Sequence, residues 1–102
     1  MGPGRRSRLA MITASTRPRL NGKARLRFDR KSTRYMLLYP EKGLALNPTA
    51  ADILKLCTGE HTVTAIVDQL AAKYARDVAD VERDVLAFLG VMADRGLVQD
   101  AP

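Results

Sequence analysis

Few side chains in this sequence are equipped for chemistry. There is one histidine, His61, and one cysteine, Cys57, whereas a zinc site wants four ligands. Nucleophilic catalysis needs a nucleophile within reach of a base. Cys57 falls on the inward side of an apolar stretch, where a free cysteine behaves as a small hydrophobe, and His61 stands between two helical patterns with no recognisable partner. The carboxylates Asp77, Asp80, Glu82 and Asp84 gather at the start of a helical pattern, where the macrodipole favours negative charge. No glycine-rich loop is spaced to cradle a phosphate. The chemistry left to the chain is recognition by backbone and surface, so the expectation is a protein that is not an enzyme and holds no metal or cofactor.

The elements that would carry such recognition follow from the hydrophobic period. Asn21-Gly22 is a turn pair, and Arg25-Leu26-Arg27-Phe28-Asp29 alternates strictly, setting Leu26 and Phe28 on one face of a strand. Arg34 to Tyr39 reads as a second strand. Pro40 to Gly43 closes a turn, and Leu44-Ala45-Leu46 makes a short third strand. Short connections make these an antiparallel meander. The period then changes to 3.6. Asn47-Pro48 starts a first helix, with Asn as cap and Pro at its first position; it runs to about Cys57 and is ended by Gly59. Thr62 caps a second helix whose inner face carries Val63, Ile66, Val67, Leu70 and Tyr74. A third helix begins between Asp77 and Asp80, with Val81, Val85, Phe88, Leu89 and Met92 inward, and stops at Arg95-Gly96. Leu97-Val98 folds back on the core. The expected fold is therefore α+β and winged-helix-like, a three-stranded antiparallel sheet followed by three helices. Residues 1–17 are expected to form a disordered basic arm, residues 18–99 the domain, and residues 100–102 a tail.

The chain has 102 residues and a formal charge of +6, a length that supports one domain. The charge is unevenly placed. Residues 1–31 hold ten Lys or Arg against the single acid Asp29, whereas residues 32–102 hold seven basic and ten acidic residues. Between Thr62 and Arg95 the last two helices carry four basic and six acidic residues. A helix that enters a nucleic-acid groove needs the opposite balance, which weighs against a winged-helix nucleic-acid-binding protein, the main rival reading. The arginines Arg5, Arg6, Arg8 and Arg17 are expected to supply only electrostatic steering. No apolar run approaches the roughly 20 residues of a membrane span, and the basic N-terminus lacks the apolar core of a secretory signal. One cysteine allows no internal disulfide, which fits a reducing cytoplasm.

From Arg34 onward the residues form an ordered set: Tyr35-Met36-Leu37-Leu38-Tyr39-Pro40-Glu41, Leu44-Ala45-Leu46-Asn47, Ile53-Leu54, Cys57-Thr58-Gly59, Thr62-Val63 with Ile66-Val67, Asp84 to Leu89, and Gly96-Leu97-Val98. In order and spacing this set closely resembles the pyrroloquinoline quinone biosynthesis protein D family, the type of the peptide-recognition domains of ribosomal peptide maturation. The resemblance spans about Pro18 to Val98. The arginine-rich arm departs from it, as does Thr58, which stands where an acidic residue is common. The resemblance implies a domain that binds a short precursor peptide of pyrroloquinoline quinone and presents it to a radical S-adenosylmethionine enzyme. It also implies that the peptide lies as an added strand between the third strand and the third helix.

The residues themselves are compatible with that mechanism. If the third strand is an outer one, Leu44, Ala45, Leu46 and Asn47 offer backbone groups for strand addition. At 100° per residue, Asp84, Ala87 and Val91 fall on one flank of the core stripe of the third helix, beside Phe88. Ala87 leaves room for a groove, and Asp84 is placed either to meet a basic peptide residue or to serve as a plain first-turn carboxylate. An open edge can equally pair with a second copy of the chain, giving a homodimer. A subunit that stabilises a partner enzyme without touching the peptide is a third reading.

Overall fold

The switch from a two-residue to a 3.6-residue hydrophobic period near Asn47 divides the molecule into a sheet layer and a helical layer. The computed structural model of the protein describes residues 12–101. Strand β1 (Pro18–Leu20) is followed by β2 (Arg25–Asp29), β3 (Arg34–Tyr39) and β4 (Lys42–Ala45), and then by helices α1 (Pro48–Lys55), α2 (Val63–Tyr74) and α3 (Val78–Asp94) and strand β5 (Val98–Asp100). The expected meander is present as the antiparallel sheet β2-β3-β4. Leu26, Leu37 and Leu44 stand opposite one another across it. Leu37 is fully buried on the face that α1 covers.

The helix starts follow the local chemistry. Asn47 accepts a hydrogen bond from the Ala50 N–H at 2.7 Å with Pro48 in the first turn, and Thr62 accepts from the Ala65 N–H at 3.1 Å, each satisfying a donor the helix leaves unpaired. Val81, Val85, Leu89 and Met92 of α3 and Val63, Ile66, Val67 and Leu70 of α2 fill the core as the periodicity requires. Tyr74, the last residue of the α2 stripe, is 37% exposed, because α2 ends there and Ala75 turns into a left-handed conformation. Helix α1 ends at Lys55, earlier than expected. Gly59 (φ 87°) therefore does not cap it. Instead the Gly59 N–H donates to the Pro18 carbonyl at 3.0 Å, and a Cβ at residue 59 would lie 3.2 Å from that of Ala101.

Both ends of the domain differ from expectation. A second sheet pairs β1 with β5, Leu20 opposite Val98 and Pro18 opposite Asp100, so Asp100 belongs to a strand and not to a tail. Residues 12–17 are tied down as well. The carbonyls of Ala14 and Thr16 accept from the N–H groups of Thr64 and Val63, supplying partners to the first turn of α2, whose donors have none within the helix. Arg17 accepts from the Ala101 N–H at 2.8 Å and donates its own N–H to Asp100 at 3.0 Å; its guanidinium donates to the Glu60 carbonyl. Arg17 is thus part of the clasp between the chain ends and not a free steering charge. Three residues of unremarkable composition, Pro18 to Leu20, gave no alternation long enough to read as a strand. The rest of the expected arm, residues 1–11, lies outside the described residues.

Candidate functional site

Strand β4 lies at the edge of its sheet. Leu46 pairs with Tyr35, its N–H donating to the Tyr35 carbonyl at 2.9 Å, and the register sets Leu44 opposite Leu37 and Ala45 opposite Met36. Bonded and non-bonded pairs alternate in an antiparallel ladder, so the groups of Leu44 and Leu46 point into the sheet. Those of Gly43 and Ala45 point outward, and no backbone bond to them is made from turns or loops of the described residues. The alternation also fixes the side chains. Leu44 is half-buried and Leu46 fully buried on the α1 side, while Ala45 is exposed on the opposite face.

Where the chain runs on from β4 through Asn47 into α1, the first turn of α1 and the near side of α3 border a hollow of about 300 Å³. Asn47, Thr49, Ala50 and Ile53 line one wall, with Arg76, Asp84 and Phe88 on the other. Of the eight residues expected to form a site, the hollow brings together Asn47, Asp84 and Phe88. Leu44 and Ala45 belong to β4, and Leu46, which follows that strand, lines the second hollow described below. Ala87 and Val91 are exposed on α3 outside it, Val91 to 48%. Because α3 begins at Val78, Asp84 sits in its second turn and is no first-turn carboxylate; its Oδ2 accepts from the Arg76 guanidinium at 3.0 Å. The side-chain oxygen of Asn47 is likewise engaged as the α1 cap. Asp84, Ala87, Phe88 and Val91 recur at i, i+3, i+4 and i+7, one continuous face of the helix. Arg76 was invisible to sequence reasoning, since its pairing with Asp84 depends on the turn that Ala75 makes between α2 and α3.

A second hollow, of about 250 Å³, lies on another face of α1, under the end of the sheet from which Leu46 leads into that helix; it is floored by Phe28, Tyr35 and Leu46 and walled by α1 and the end of α2. Phe28 and Tyr35 meet edge to face at 5.1 Å, and the Lys55 ammonium lies 4.2 Å above the Tyr35 ring. Asp52 of α1 accepts from Lys73 at 2.9 Å and from the Tyr74 hydroxyl, tying α1 to α2. Burial alone would raise the Asp52 carboxyl, but the Tyr74 and Lys73 hydrogen bonds outweigh it and hold it below its ordinary value. The unfolded chain, with its carboxyl near 3.9, therefore takes up a proton first as pH falls. The contribution of Asp52 to stability is present above that value and lost on passing down through the folded one. In urea midpoints measured from neutrality towards pH 3, Asp52→Asn is expected to flatten the acid limb. The flattening is partial, because Asp29 is also lowered, chiefly by the Ser32 hydroxyl; an unaltered limb would remove Asp52 from this role.

Neither hollow assembles a reactive centre. The Cys57 thiol is buried and pushed up to about 12 by desolvation, with its Sγ donating to the Ile53 carbonyl at 3.3 Å, so it is held as an unreactive thiol. Among the described residues no three His, Cys, Asp or Glu side chains are grouped to hold a metal ion, and no helix is long and apolar enough to cross a membrane. What the geometry offers is a strand edge with free backbone groups beside a hollow and an apolar helix face.

This is an α+β domain in which antiparallel sheets are combined with three helices, and the fold recurs in solved structures. It is shared with lasso peptide synthetase B1 complexed with the leader peptide, at a TM-score of 0.69 and 23% identity, over 80% of this chain and 96% of that one. The profile of Coenzyme PQQ synthesis protein D (PqqD) matches residues 34–98, and the chain belongs to that family. A PqqA binding protein of Rhodopseudomonas palustris (strain BisB5) is 43% identical over 95 residues, 93% of either chain. The solution structure of the PqqD truncation of Methylobacterium extorquens PqqCD, described as a functional and stand-alone recognition element for ribosomally synthesized and post-translationally modified peptides, superposes with a TM-score of 0.78. It is 34% identical, and the match covers 89% of this chain and 97% of that one.

Proposed function

We propose that this protein is a non-catalytic, winged-helix-like peptide carrier of pyrroloquinoline quinone biosynthesis. It takes the precursor peptide PqqA as an added strand on β4 and presents it to a radical S-adenosylmethionine enzyme. The observation that carries this reading is the outward direction of the Gly43 and Ala45 backbone groups on an edge strand, since main-chain pairing is what strand addition uses. Leu44, Ala45, Leu46 and Asn47 form one side of the proposed site, and Asp84, Ala87, Phe88 and Val91 the other. Leu46 and Asn47 serve it by fixing the bend from β4 into α1. Ala45 and Gly43 make the backbone contacts, and Phe88 and Val91 give apolar cover. The Arg76–Asp84 pair sits at the mouth of the hollow and sorts charged peptide side chains. A free cysteine suits the cytoplasm as the place of action. A second copy of the chain competes for the same edge in the absence of peptide.

Four or five main-chain hydrogen bonds contribute roughly 0.5–1.5 kcal/mol each, and two or three apolar anchors about 1.5–3 kcal/mol each. Ordering the peptide costs on the order of 2–5 kcal/mol, and lost translational freedom opposes binding further. Gains and costs are thus of comparable size, which fits a complex that releases the peptide to the next protein and does not hold it permanently. Titrating the precursor peptide into isotope-labelled protein is expected to shift the amides of Gly43 to Asn47 and of Ala87 to Val91. Shifts restricted to residues 1–17 would refute the strand-addition site.

A further inference from the structure

The outer face of the β2-β3-β4 sheet, turned away from α1, has an unusual composition for a face that no helix among the described residues covers. The register places Arg25, Leu38 and Gly43 in one row and Arg27, Met36 and Ala45 in the next, with Arg34 opposite Asp29 beyond them. Alternation would put polar side chains along the centre of such a face; here the central strand presents Met36 and Leu38, both only half-buried. Their ends lean over β4, since a Cβ on Gly43 would lie 3.3 Å from the Leu38 Cδ2 and 3.5 Å from the Met36 Cε. On the β2 side a shallow hollow of about 630 Å³ opens between Met36, Leu38, Arg27 and Arg30.

Charge surrounds this apolar centre on one side only. Arg25, Arg27, Arg30 and Arg34 are exposed and none forms an ion pair among the described residues. Asp29, opposite Arg34, spends its carboxylate on the Ser32 hydroxyl at 2.7 Å and on the N–H groups of the same turn. The basic excess of the described domain is thus concentrated on the face with the uncovered methionine and leucine. An apolar centre with an arginine rim fits a protein surface of matching apolar centre and carboxylate rim.

The position of this face gives it a use. A strand added to β4 continues the same sheet, and every second side chain of that strand then projects onto the outer face beside Gly43 and Ala45. We infer that the outer face of the meander, centred on Met36 and Leu38 and rimmed by Arg25, Arg27 and Arg34, is the docking surface for the maturation enzyme. The occupant is an apolar patch bordered by Asp and Glu, which meets carrier and bound peptide together. The inference rests on the strand-addition reading above. Small residues at 43 and 45 keep the seam between carrier and peptide low, so one enzyme surface can span both.

The test uses the full chain, the precursor peptide and the purified radical enzyme of the pathway, with the variants R25E/R27E and Met36→Lys. At about 150 mM salt, where exposed charges are screened beyond roughly 8 Å, peptide affinity without enzyme is expected to stay within about twofold in R25E/R27E, because both residues lie on β2, with β3 between them and the β4 edge. Association with the enzyme is expected to weaken at least tenfold in both variants, and the R25E/R27E defect should shrink as salt rises. Enzyme association unchanged in both variants overturns the inference while peptide binding still upholds the carrier reading. A wild-type chain that binds no peptide overturns the carrier reading itself. A wild-type chain that holds a DNA duplex at this salt through Arg25 and Arg27, with no effect of the variants on the enzyme, assigns the face to nucleic acid and also overturns the inference.

Discussion

Replacing Ala45 by proline is expected to weaken precursor-peptide binding at least tenfold while the domain stays folded. The Ala45 N–H points away from β3 and takes no part in the ladder, so its loss removes nothing from the sheet. Proline is tolerated on an edge strand when its missing N–H faces solvent, and the preceding Leu44 is already extended, as the residue before proline must be. For an incoming strand the same change deletes a donor and puts a ring in its path. One lost bond is worth roughly 0.5–1.5 kcal/mol; with the steric block added, the effect passes the 1.4 kcal/mol that makes a factor of ten. Leu44→Pro is the internal contrast. Its N–H faces β3, so it should destabilise the domain as well as binding. Fluorescence titration together with urea midpoints separates the two, and an Ala45→Pro protein that binds the peptide like wild type would move the site off this edge.

Leu37→Ala is expected to produce the largest loss of stability, about 3 kcal/mol. Leu37 is 0% exposed in the middle strand, flanked by Leu26 and Leu44 and covered by α1. Truncating such a side chain costs about 2–5 kcal/mol, a sum of lost transfer energy and the cavity left behind. A domain of this kind has only about 5–15 kcal/mol in hand, and each kcal/mol lowers the melting temperature of a domain of this size by roughly 4–8 °C. Thermal unfolding should therefore fall by about 12–24 °C. Peptide affinity per folded molecule should nonetheless be nearly unchanged, since Leu37 supports β4 from within and presents nothing at its edge. A melting temperature within a few degrees of wild type would contradict the packing described for the sheet.

The two variants separate what forms the site from what holds it, and the sequence announces these unequally. Leu26 and Phe28 could be assigned to one face of their strand because strand side chains alternate with a period of two, whereas the alignment of Leu37 and Leu44 with Leu26 came from the register between strands. The helix stripes could be assigned because 3.6-residue periodicity gathers Val81, Val85, Leu89 and Met92. The caps Asn47 and Thr62 were legible for a similar local reason: a side-chain oxygen reaches an N–H three residues on. Gly59 misled, because a glycine near the end of a helical pattern suggests a cap. Its positive φ instead serves a close approach to Pro18 and Arg19, which lie some 40 residues earlier. The resemblance to the PqqD family located the expected strand and helix, and the geometry then gave their residues unequal parts, with the Leu46 side chain buried and the Asn47 oxygen spent on a cap.

By itself, the sequence determined the three-stranded meander, the three helices and their inward faces, the single inert thiol and the imbalance of charge between the two ends. Each of these depends on residue type and on spacing within about one element, where neighbours in the chain are neighbours in space. Only the tertiary structure decided that residues 12–17 and 98–101 close on each other, that Asp84 is held by Arg76, and that β4 is an outer strand with Gly43 and Ala45 facing outward. These depend on pairings between distant segments, whose partners no local pattern names, because a backbone N–H carries no sequence label until the fold gives it a direction.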